Sequence, residues 1–90
     1  MKSLRLVGAF KQDLKRITRR GYDRERLDLI VQALREGHSL PASARPHPLK
    51  GEWKGHWECH IAPDWLLIYK FSESEVVLAR TGTHSDLFKL

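Results

Sequence analysis

Apolar residues recur at two different spacings near the start of the chain. Leu4 and Leu6 alternate with polar or smaller neighbours, which predicts a short strand. From Phe10 the spacing becomes helical and continues to Ile17, and Gly21 then ends the predicted helix as a C-cap would. The pattern therefore predicts a strand that leads directly into an amphipathic helix.

A second helix is predicted immediately afterwards. Asp23 is a typical N-cap residue, and Gly37 lies where the helix is expected to close. Between them the apolar residues follow the i, i+3, i+4, i+7 spacing of one helix face: Leu27, Ile30, Val31 and Leu34. Two helices joined by so short a turn form an antiparallel hairpin, whose apolar stripes need a sheet to cover.

The rest of the chain predicts a loop followed by three strands. Residues 38–51 contain three prolines and no periodicity, so we expect a loop that crosses the sheet edge. Strands are expected at residues 55–61, 65–71 and 75–81, with the apolar run WLLIY as a central strand buried on both faces. The predicted fold is one α+β domain over residues 1–90, with an N-terminal strand and a helical hairpin packed on a small, mainly antiparallel sheet in the order β-α-α-β-β-β.

The basic charge of the chain is concentrated in its first half. Residues 1–45 carry eleven lysines and arginines against five acids, whereas residues 46–90 carry five against six. Such an asymmetry favours an anionic partner: nucleic acid or an acidic protein first, and a membrane surface third. The alternative is a solvated cationic helix face with no partner.

Size and cysteine content restrict the class of protein further. A domain of 90 residues has a modest core, so a deep cavity for a large cofactor is not expected. The single cysteine, Cys59, cannot form an internal disulfide, and the N-terminus is too short and too charged for a signal peptide. We therefore expect a cytoplasmic protein, and no apolar run approaches the ~20 residues that span a bilayer.

Three histidines and an aspartate occupy positions that a sheet would bring together. His47 lies between two prolines, which restrict its backbone and fix the direction of its side chain at little entropic cost. His60 and Asp64 bracket a tight turn between two predicted strands, and His84 follows the last strand. If the strands run antiparallel in sequence order, His60, Asp64 and His84 lie at one end of the sheet.

Two kinds of chemistry use such a cluster. Histidines and a carboxylate can bind zinc, or they can act as acid and base in metal-free cleavage of RNA, which supplies its own 2′-hydroxyl nucleophile. An RNA-cleaving site also needs a cation for the phosphate, and Arg80 lies four residues before His84. The HExxH-type and paired Cys/His spacings that would indicate zinc are missing.

The segments HPLKG, HIAPDWLLIY and RTGTHSDLF, in this order, resemble the YafQ-type toxins of the RelE/ParE superfamily of bacterial toxin–antitoxin ribonucleases. The resemblance covers essentially the whole chain, because the basic helical hairpin also fits. It implies a RelE-like fold, no cofactor, and cleavage of mRNA in the ribosomal A site. It also implies a cognate antitoxin as partner, with DNA contacted only indirectly through the antitoxin.

The resemblance further implies roles for individual residues. Four are expected to be catalytic: His47, His60, Asp64 and His84. Five residues are expected to bind RNA or its phosphates: Arg80, Phe88 and Lys50 lie in the matched segments, whereas Lys15 and Arg19 are expected to do so as basic residues of the first helix. Our working assignment makes His47 the base and His84 the acid, with His60 and Asp64 positioning the phosphate and tuning the other two. Glu58 replaces an aspartate that is frequent in the family, so its role is left open.

Other functions remain open at this point. A ParE-type gyrase poison would share the fold and the basic helices, but it is not expected to retain four titratable residues in one cleft. A metal-dependent hydrolase would use the same histidines and aspartate. A DNA-binding module is less favoured, because no helix-turn-helix spacing is present. His38 and His56 lie outside the matched motifs and are expected to face solvent.

Overall fold

The computed structural model describes residues 1–88. Its helices are α1 (Gly8–Arg19), α2 (Arg24–Glu36) and α3 (His84–Phe88), and its strands are β1 (Ser3–Leu6), β2 (His47–Pro48), β3 (Trp57–Ala62), β4 (Trp65–Phe71) and β5 (Glu75–Gly82). Two short 3-10 turns, Ala42–Ala44 and Gly51–Trp53, precede and follow β2. None of the helices within residues 1–88 has the length and apolar character needed to cross a membrane.

The strands form one sheet in the order β1-β5-β4-β3-β2. β1 pairs parallel to β5, and the remaining neighbours are antiparallel. The predicted α+β fold is therefore confirmed, with two differences. Residues 38–51 are not wholly a loop, because His47 and Pro48 pair with β3 as an edge strand. This strand is only two residues long, since prolines lack the N–H that would extend a ladder.

The second difference is α3, which the sequence pattern did not predict. The five residues His84–Phe88 are too few to show a helical period, and they follow β5 after a single residue, Thr83. His84 is the first residue of a helix rather than part of an irregular tail.

Local hydrogen bonds fix the turn between the two helices of the predicted hairpin. After α1 the N–H of Gly21 donates to the carbonyl of Thr18 and that of Tyr22 to the carbonyl of Ile17, which is a Schellman motif with Gly21 at φ 78°. The side chain of Asp23 accepts a hydrogen bond from the N–H of Glu25, so it caps α2 as predicted. The hairpin therefore turns where the sequence places its glycine and its N-cap.

The two faces of the sheet carry cores of different size. α1 and α2 cover the first face, where a large apolar cluster includes Phe10, Leu27, Leu67 and Tyr69. The second face carries a smaller cluster, which joins the sheet to α3 and to the turn before β3: Leu66, Ile68, Ala79 and Leu87, with Leu49, Trp53 and Phe88 packed around them. The run WLLIY contributes to both clusters, so its predicted burial on two faces is confirmed.

Candidate active site

Sheet register aligns His47 with the second face of the sheet. His47 pairs with Glu58, Glu58 with Ile68, and Ile68 with Arg80, so one row crosses four strands. Three strand spacings separate the backbones of His47 and Arg80, which amounts to about 14 Å. His60 follows Glu58 by two residues and therefore lies on the same face, opposite Leu66.

The structure brings His60, Asp64 and His84 together at one end of this face. The Nδ1 atom of His84 lies 2.7 Å from Oδ1 of Asp64, and the backbone N–H of His84 donates to the same oxygen at 3.1 Å. The rings of His60 and His84 are 6.1 Å apart between centroids. These hydrogen bonds from His84, first that of its side chain, lower the pKa of the Asp64 carboxyl. The Nε2 atom of His84 is thereby left as the nitrogen available to a substrate.

His47 is held in a different way. Its Nδ1 lies 3.3 Å from the carbonyl oxygen of Arg45, and its Nε2 lies 3.5 Å from Oε1 of Glu58. The second distance is too long for a normal hydrogen bond, so Nε2 is able to exchange Glu58 for a substrate group. Glu58 itself is only 6% exposed, which makes it a buried carboxylate directly under an exposed histidine.

Arg80 is paired with a residue that the sequence analysis did not single out. Asp13 of α1 is 1% exposed, and its two oxygens accept hydrogen bonds from Nε and Nη2 of Arg80 at 2.6 and 3.1 Å. The same carboxylate accepts the backbone N–H of Thr81, beyond the point where β1 stops pairing with β5. Asp13 thus replaces a missing strand partner, and its hydrogen bond to the guanidinium raises the pKa of Arg80.

The remaining residues of RTGTHSD fix the position of His84. Thr83 and Asp86 form a capping box, in which the N–H of Asp86 donates to the Thr83 hydroxyl and the N–H of Thr83 to the Asp86 carboxylate. A side chain at Gly82 would collide with this carboxylate, because a Cβ there would lie 2.8 Å from Oδ2 of Asp86. Arg20, the residue that follows α1, donates twice to Asp86, at 2.7 and 3.1 Å, and this contact lowers the pKa of the Asp86 carboxyl.

Asp13 and Asp86 are the two functional partners that sequence reasoning missed. Asp13 carried a usable signal, since it falls on the apolar stripe of α1 between Phe10 and Ile17, where a charge needs a buried partner. Asp86 also carried one, because Thr83 and Asp86 have the spacing of a capping box. What the sequence lacked in both cases was the identity of the distant arginine.

The predicted RNA-binding residues fall into two separate places. Lys50 and Phe88 line one cleft of about 520 Å³ with Trp53, on the second face of the sheet. Lys15 and Arg19 instead line a groove between α1 and the start of α2, which shares no lining residue with the histidine site or with the cleft at Phe88. The structure therefore brings Lys50 and Phe88 together and leaves Lys15 and Arg19 on another surface.

The two histidines outside the motifs differ from each other. His38 is exposed as expected, beside Glu36. His56 is not solvent-facing, so that expectation is wrong: its ring packs edge-on against Trp53 at 5.1 Å, and its Nδ1 is buried. Within residues 1–88 no three side chains of His, Cys, Asp or Glu are grouped so that they could hold one metal ion.

The chain is similar to known bacterial toxins. Residues 2–89 match the family model of the bacterial toxin of type II toxin–antitoxin systems, YafQ. The mRNA interferase toxin YafQ of Escherichia coli K12 is 39% identical over 82 residues, which are 90% of this chain and 89% of that protein. The endoribonuclease class predicted from the sequence is confirmed by this relative.

Solved structures of bacterial toxins also superpose on this chain. A copper-bound mutant toxin from Helicobacter pylori superposes with a TM-score of 0.93 at 38% identity, covering 98% of this chain and all 100% of the other. YafQ in the E. coli DinJ–YafQ toxin–antitoxin complex superposes with a TM-score of 0.87 at 36% identity, covering 97% of both chains. The resemblance predicted from HPLKG, HIAPDWLLIY and RTGTHSDLF is thus confirmed, and the chain belongs to the YafQ family of type II toxin–antitoxin toxins.

Proposed function

We propose that this chain is a toxin that cleaves mRNA on the ribosome by metal-independent acid–base catalysis. The observation that carries the proposal is the His84–Asp64 hydrogen bond of 2.7 Å beside the ring of His60. The names of the E. coli relatives, mRNA interferase toxin YafQ, support mRNA as the substrate. A ribosomal target also places the activity in the cytoplasm.

The proposed reaction needs only a base, an acid and a cation. The base removes the proton of the RNA 2′-hydroxyl, and the 2′-oxygen attacks the adjacent phosphorus. The bond from phosphorus to the 5′-oxygen breaks, and the acid donates a proton to that leaving oxygen. The products are a 2′,3′-cyclic phosphate and a 5′-hydroxyl, so the proton count balances without a cofactor.

His84 suits the acid. Asp64 accepts a hydrogen bond from Nδ1–H, which fixes the ring and directs Nε2 toward the substrate. His47 is assigned the base, because Nδ1–H donates to the Arg45 carbonyl and Nε2, whose contact with Oε1 of Glu58 is long at 3.5 Å, can turn toward the 2′-hydroxyl instead. His60 lies between them in the sheet and is placed to contact the phosphate.

Arg80 is the candidate cation, although two of its five N–H donors are engaged by Asp13. Asp13 occupies Nε and Nη2, while Nη1 has no partner among residues 1–88. We propose that Nη1 meets the developing charge on the phosphate. On the same face of the sheet, Phe88 is placed to stack on a base and Lys50 to bind a phosphate, since both line one cleft.

A cognate antitoxin is the second proposed partner. The E. coli relative was crystallised in a toxin–antitoxin complex with DinJ, and this chain carries its basic excess in the first 45 residues. A free mRNA-cleaving toxin would stop translation in its own host, so an acidic antitoxin segment is expected to cover the basic surface. Any DNA contact would then be made indirectly, through the antitoxin.

Single-turnover cleavage of mRNA on programmed ribosomes, with saturating protein, tests the catalytic assignment. His47→Ala and His84→Ala are each expected to slow cleavage by ~10²–10⁴-fold, and His38→Ala serves as the exposed control. An mRNA with sulfur in place of the bridging 5′-oxygen separates acid from base, because a thiolate leaves without a proton. This substrate should restore the rate of His84→Ala but not that of His47→Ala.

Two outcomes would redirect the assignment. If both histidine variants cleave at the parent rate, acid–base catalysis by these residues is wrong and gyrase poisoning is the activity to test. A metal-dependent hydrolase is the other candidate, since toxins from H. pylori with similar folds were solved with metal bound. Activity that disappears on chelation, in a buffer that keeps ribosomes intact, and returns with one metal ion per chain would establish that alternative.

A further inference from the structure

His60 also lines a second cleft. It has a volume of about 600 Å³, within the range of ligand sites in proteins, and it lies between the start of α2, the turn before β2 and the turn after β3. Its polar lining comes from Arg26, Ser43, Arg45 and His60. It shares no lining residue with the cleft at Lys50 and Phe88, so it is a separate place for substrate to extend.

The two arginines of this cleft are free to bind an anion. Neither Arg26 nor Arg45 forms an ion pair or a side-chain hydrogen bond with any residue among 1–88, and both are exposed. Neighbouring arginines behave differently: Arg20 binds Asp86 and Arg24 binds Asp28. Because the guanidinium group matches the geometry of a phosphate, two unpaired guanidinium groups in one cleft favour a phosphate ligand.

The backbone links this cleft to His47. Arg45 has φ 43° and is the one non-glycine residue among 1–88 with a positive φ. That conformation is unfavourable for an arginine, and it occurs at the residue whose carbonyl contacts Nδ1 of His47 at 3.3 Å. Arg45 is thus held in an unusual conformation where its side chain lines the cleft and its carbonyl touches the candidate base.

We infer that this cleft is a subsite for the mRNA backbone, in which Arg45 and Arg26 bind a phosphate that flanks the cleaved one. The inference rests on the proposed function, because only an RNA held for cleavage at the histidines must pass this point. The substrate rather than ribosomal RNA is the expected occupant, since His60 forms part of the cleft wall. Together with the cleft at Lys50 and Phe88, this cleft would give the mRNA a second place to extend from the histidines.

The test uses programmed ribosomes carrying mRNAs with one neutral methylphosphonate at successive phosphates around the cleavage site. With the parent protein, one position should raise the half-saturating protein concentration in single-turnover cleavage by about 10-fold, the effect of losing one charge-assisted hydrogen bond. Arg45→Ala should show a similar increase on unmodified mRNA and no further increase at that position. Arg5→Ala, which removes an exposed arginine of β1, should retain the full sensitivity of the parent.

A second substitution controls for the positive φ of Arg45. Arg45→Gly removes the guanidinium group while tolerating a positive φ, so it should reproduce Arg45→Ala if the side chain is responsible. If both variants keep the parent's sensitivity at every phosphate, the inferred subsite is wrong. If they weaken binding to ribosomes without mRNA as much as binding to programmed ribosomes, the subsite is also wrong, and ribosomal RNA is the occupant of the cleft. A parent protein that cleaves no unmodified mRNA would instead refute the proposed function itself.

Discussion

Two carboxylates hold the proposed catalytic groups, and they differ most in their exposure to solvent. Asp13, which holds Arg80, is 1% exposed and accepts hydrogen bonds from Arg80, Thr81 and Arg16. Asp64, which holds His84, has a side chain 64% exposed, and among residues 1–88 its carboxylate accepts hydrogen bonds only from His84. One carboxylate is therefore part of the scaffold, while the other lies at the surface where substrate arrives.

This difference matches what each partner has to do. An arginine that stabilises a phosphate keeps its charge throughout, so a permanent buried partner restricts its motion without interfering with the reaction. A histidine that donates a proton must change its charge in every cycle. A solvated carboxylate tolerates that change at a smaller energetic cost than a buried one, because water screens the interaction.

The largest expected effect follows from removing the buried carboxylate. Asp13→Ala leaves the guanidinium of Arg80 without its partner and the N–H of Thr81 without its acceptor, so it should lower the free energy of unfolding by about 3–5 kcal/mol. Urea denaturation followed by far-UV circular dichroism measures this. Asp28→Ala is the matched control, because its pair with Arg24 is exposed on both sides and should contribute less than about 1 kcal/mol.

If Asp13→Ala unfolds completely, Asp13→Asn provides the second measurement, since an amide oxygen still accepts one hydrogen bond. Asp13→Asn should lower the free energy of unfolding by less than Asp13→Ala does. Equal stability of Asp13→Ala and Asp28→Ala would show that burial does not distinguish the two carboxylates.

The next largest effect is expected on the rate rather than on stability. Asp64→Asn keeps an acceptor for Nδ1 of His84 but removes the negative charge beside the ring. Single-turnover cleavage should slow by about 10- to 10²-fold, less than the ~10⁴-fold typical of a buried triad aspartate. The urea midpoint should stay at the parent value. A large loss of stability with an unchanged rate would reverse the roles assigned to Asp13 and Asp64.

Strong local patterns predicted most of the fold. The range 65–71 was predicted for β4 and is observed as Trp65–Phe71, because a fully apolar run bounded by turn residues leaves little choice. The convergence of His60, Asp64 and His84 also followed from sequence, since antiparallel order brings alternate strand ends together. These inferences needed only the period of the pattern and the connection lengths.

The sequence did not predict which distant residues pair with each other. The partner of Asp13 is 67 residues away, and no local rule selects Arg80 among the arginines of the chain. The edge strand His47–Pro48 was missed for a related reason, since a two-residue strand that follows one proline and contains another forms a ladder only because β3 is already in place. The subsite at Arg45 likewise depends on a backbone conformation that the sequence does not indicate.

A smaller effect is expected from Asp86, whose side chain is intermediate between the other two carboxylates at 14% exposed. Arg20 holds its pKa below that of an unfolded aspartate, so the unfolded chain binds more protons as the pH falls. The stabilisation is fully present above about pH 5 and is lost as the pH falls below about 4 toward the lowered pKa. Urea midpoints measured from pH 6 to pH 2 should therefore fall less steeply for Asp86→Asn than for the parent. Asp28→Asn should keep the slope of the parent, and an equal slope in all three proteins would contradict a role for Arg20–Asp86 in acid stability.

The smallest effect should come from the basic groove of the helical hairpin, which includes neither Asp13 nor Asp64 in its lining. Lys15 and Arg19 are exposed and line this groove away from the histidines, so they are placed to meet ribosomal phosphates rather than the cleaved bond. Replacing either with Ala should weaken association with ribosomes a few-fold at low salt and leave the single-turnover rate at saturation unchanged.

The slope of log K against log salt should decrease by about 0.7–0.9 for each charge removed, as counterion release requires. Binding measured by sedimentation at several salt concentrations, with Arg5→Ala as the basic control on β1, gives this slope directly. A slope that does not change for Lys15→Ala or Arg19→Ala would show that the groove contacts no RNA, and the first half of the chain would then carry its charge for the antitoxin alone.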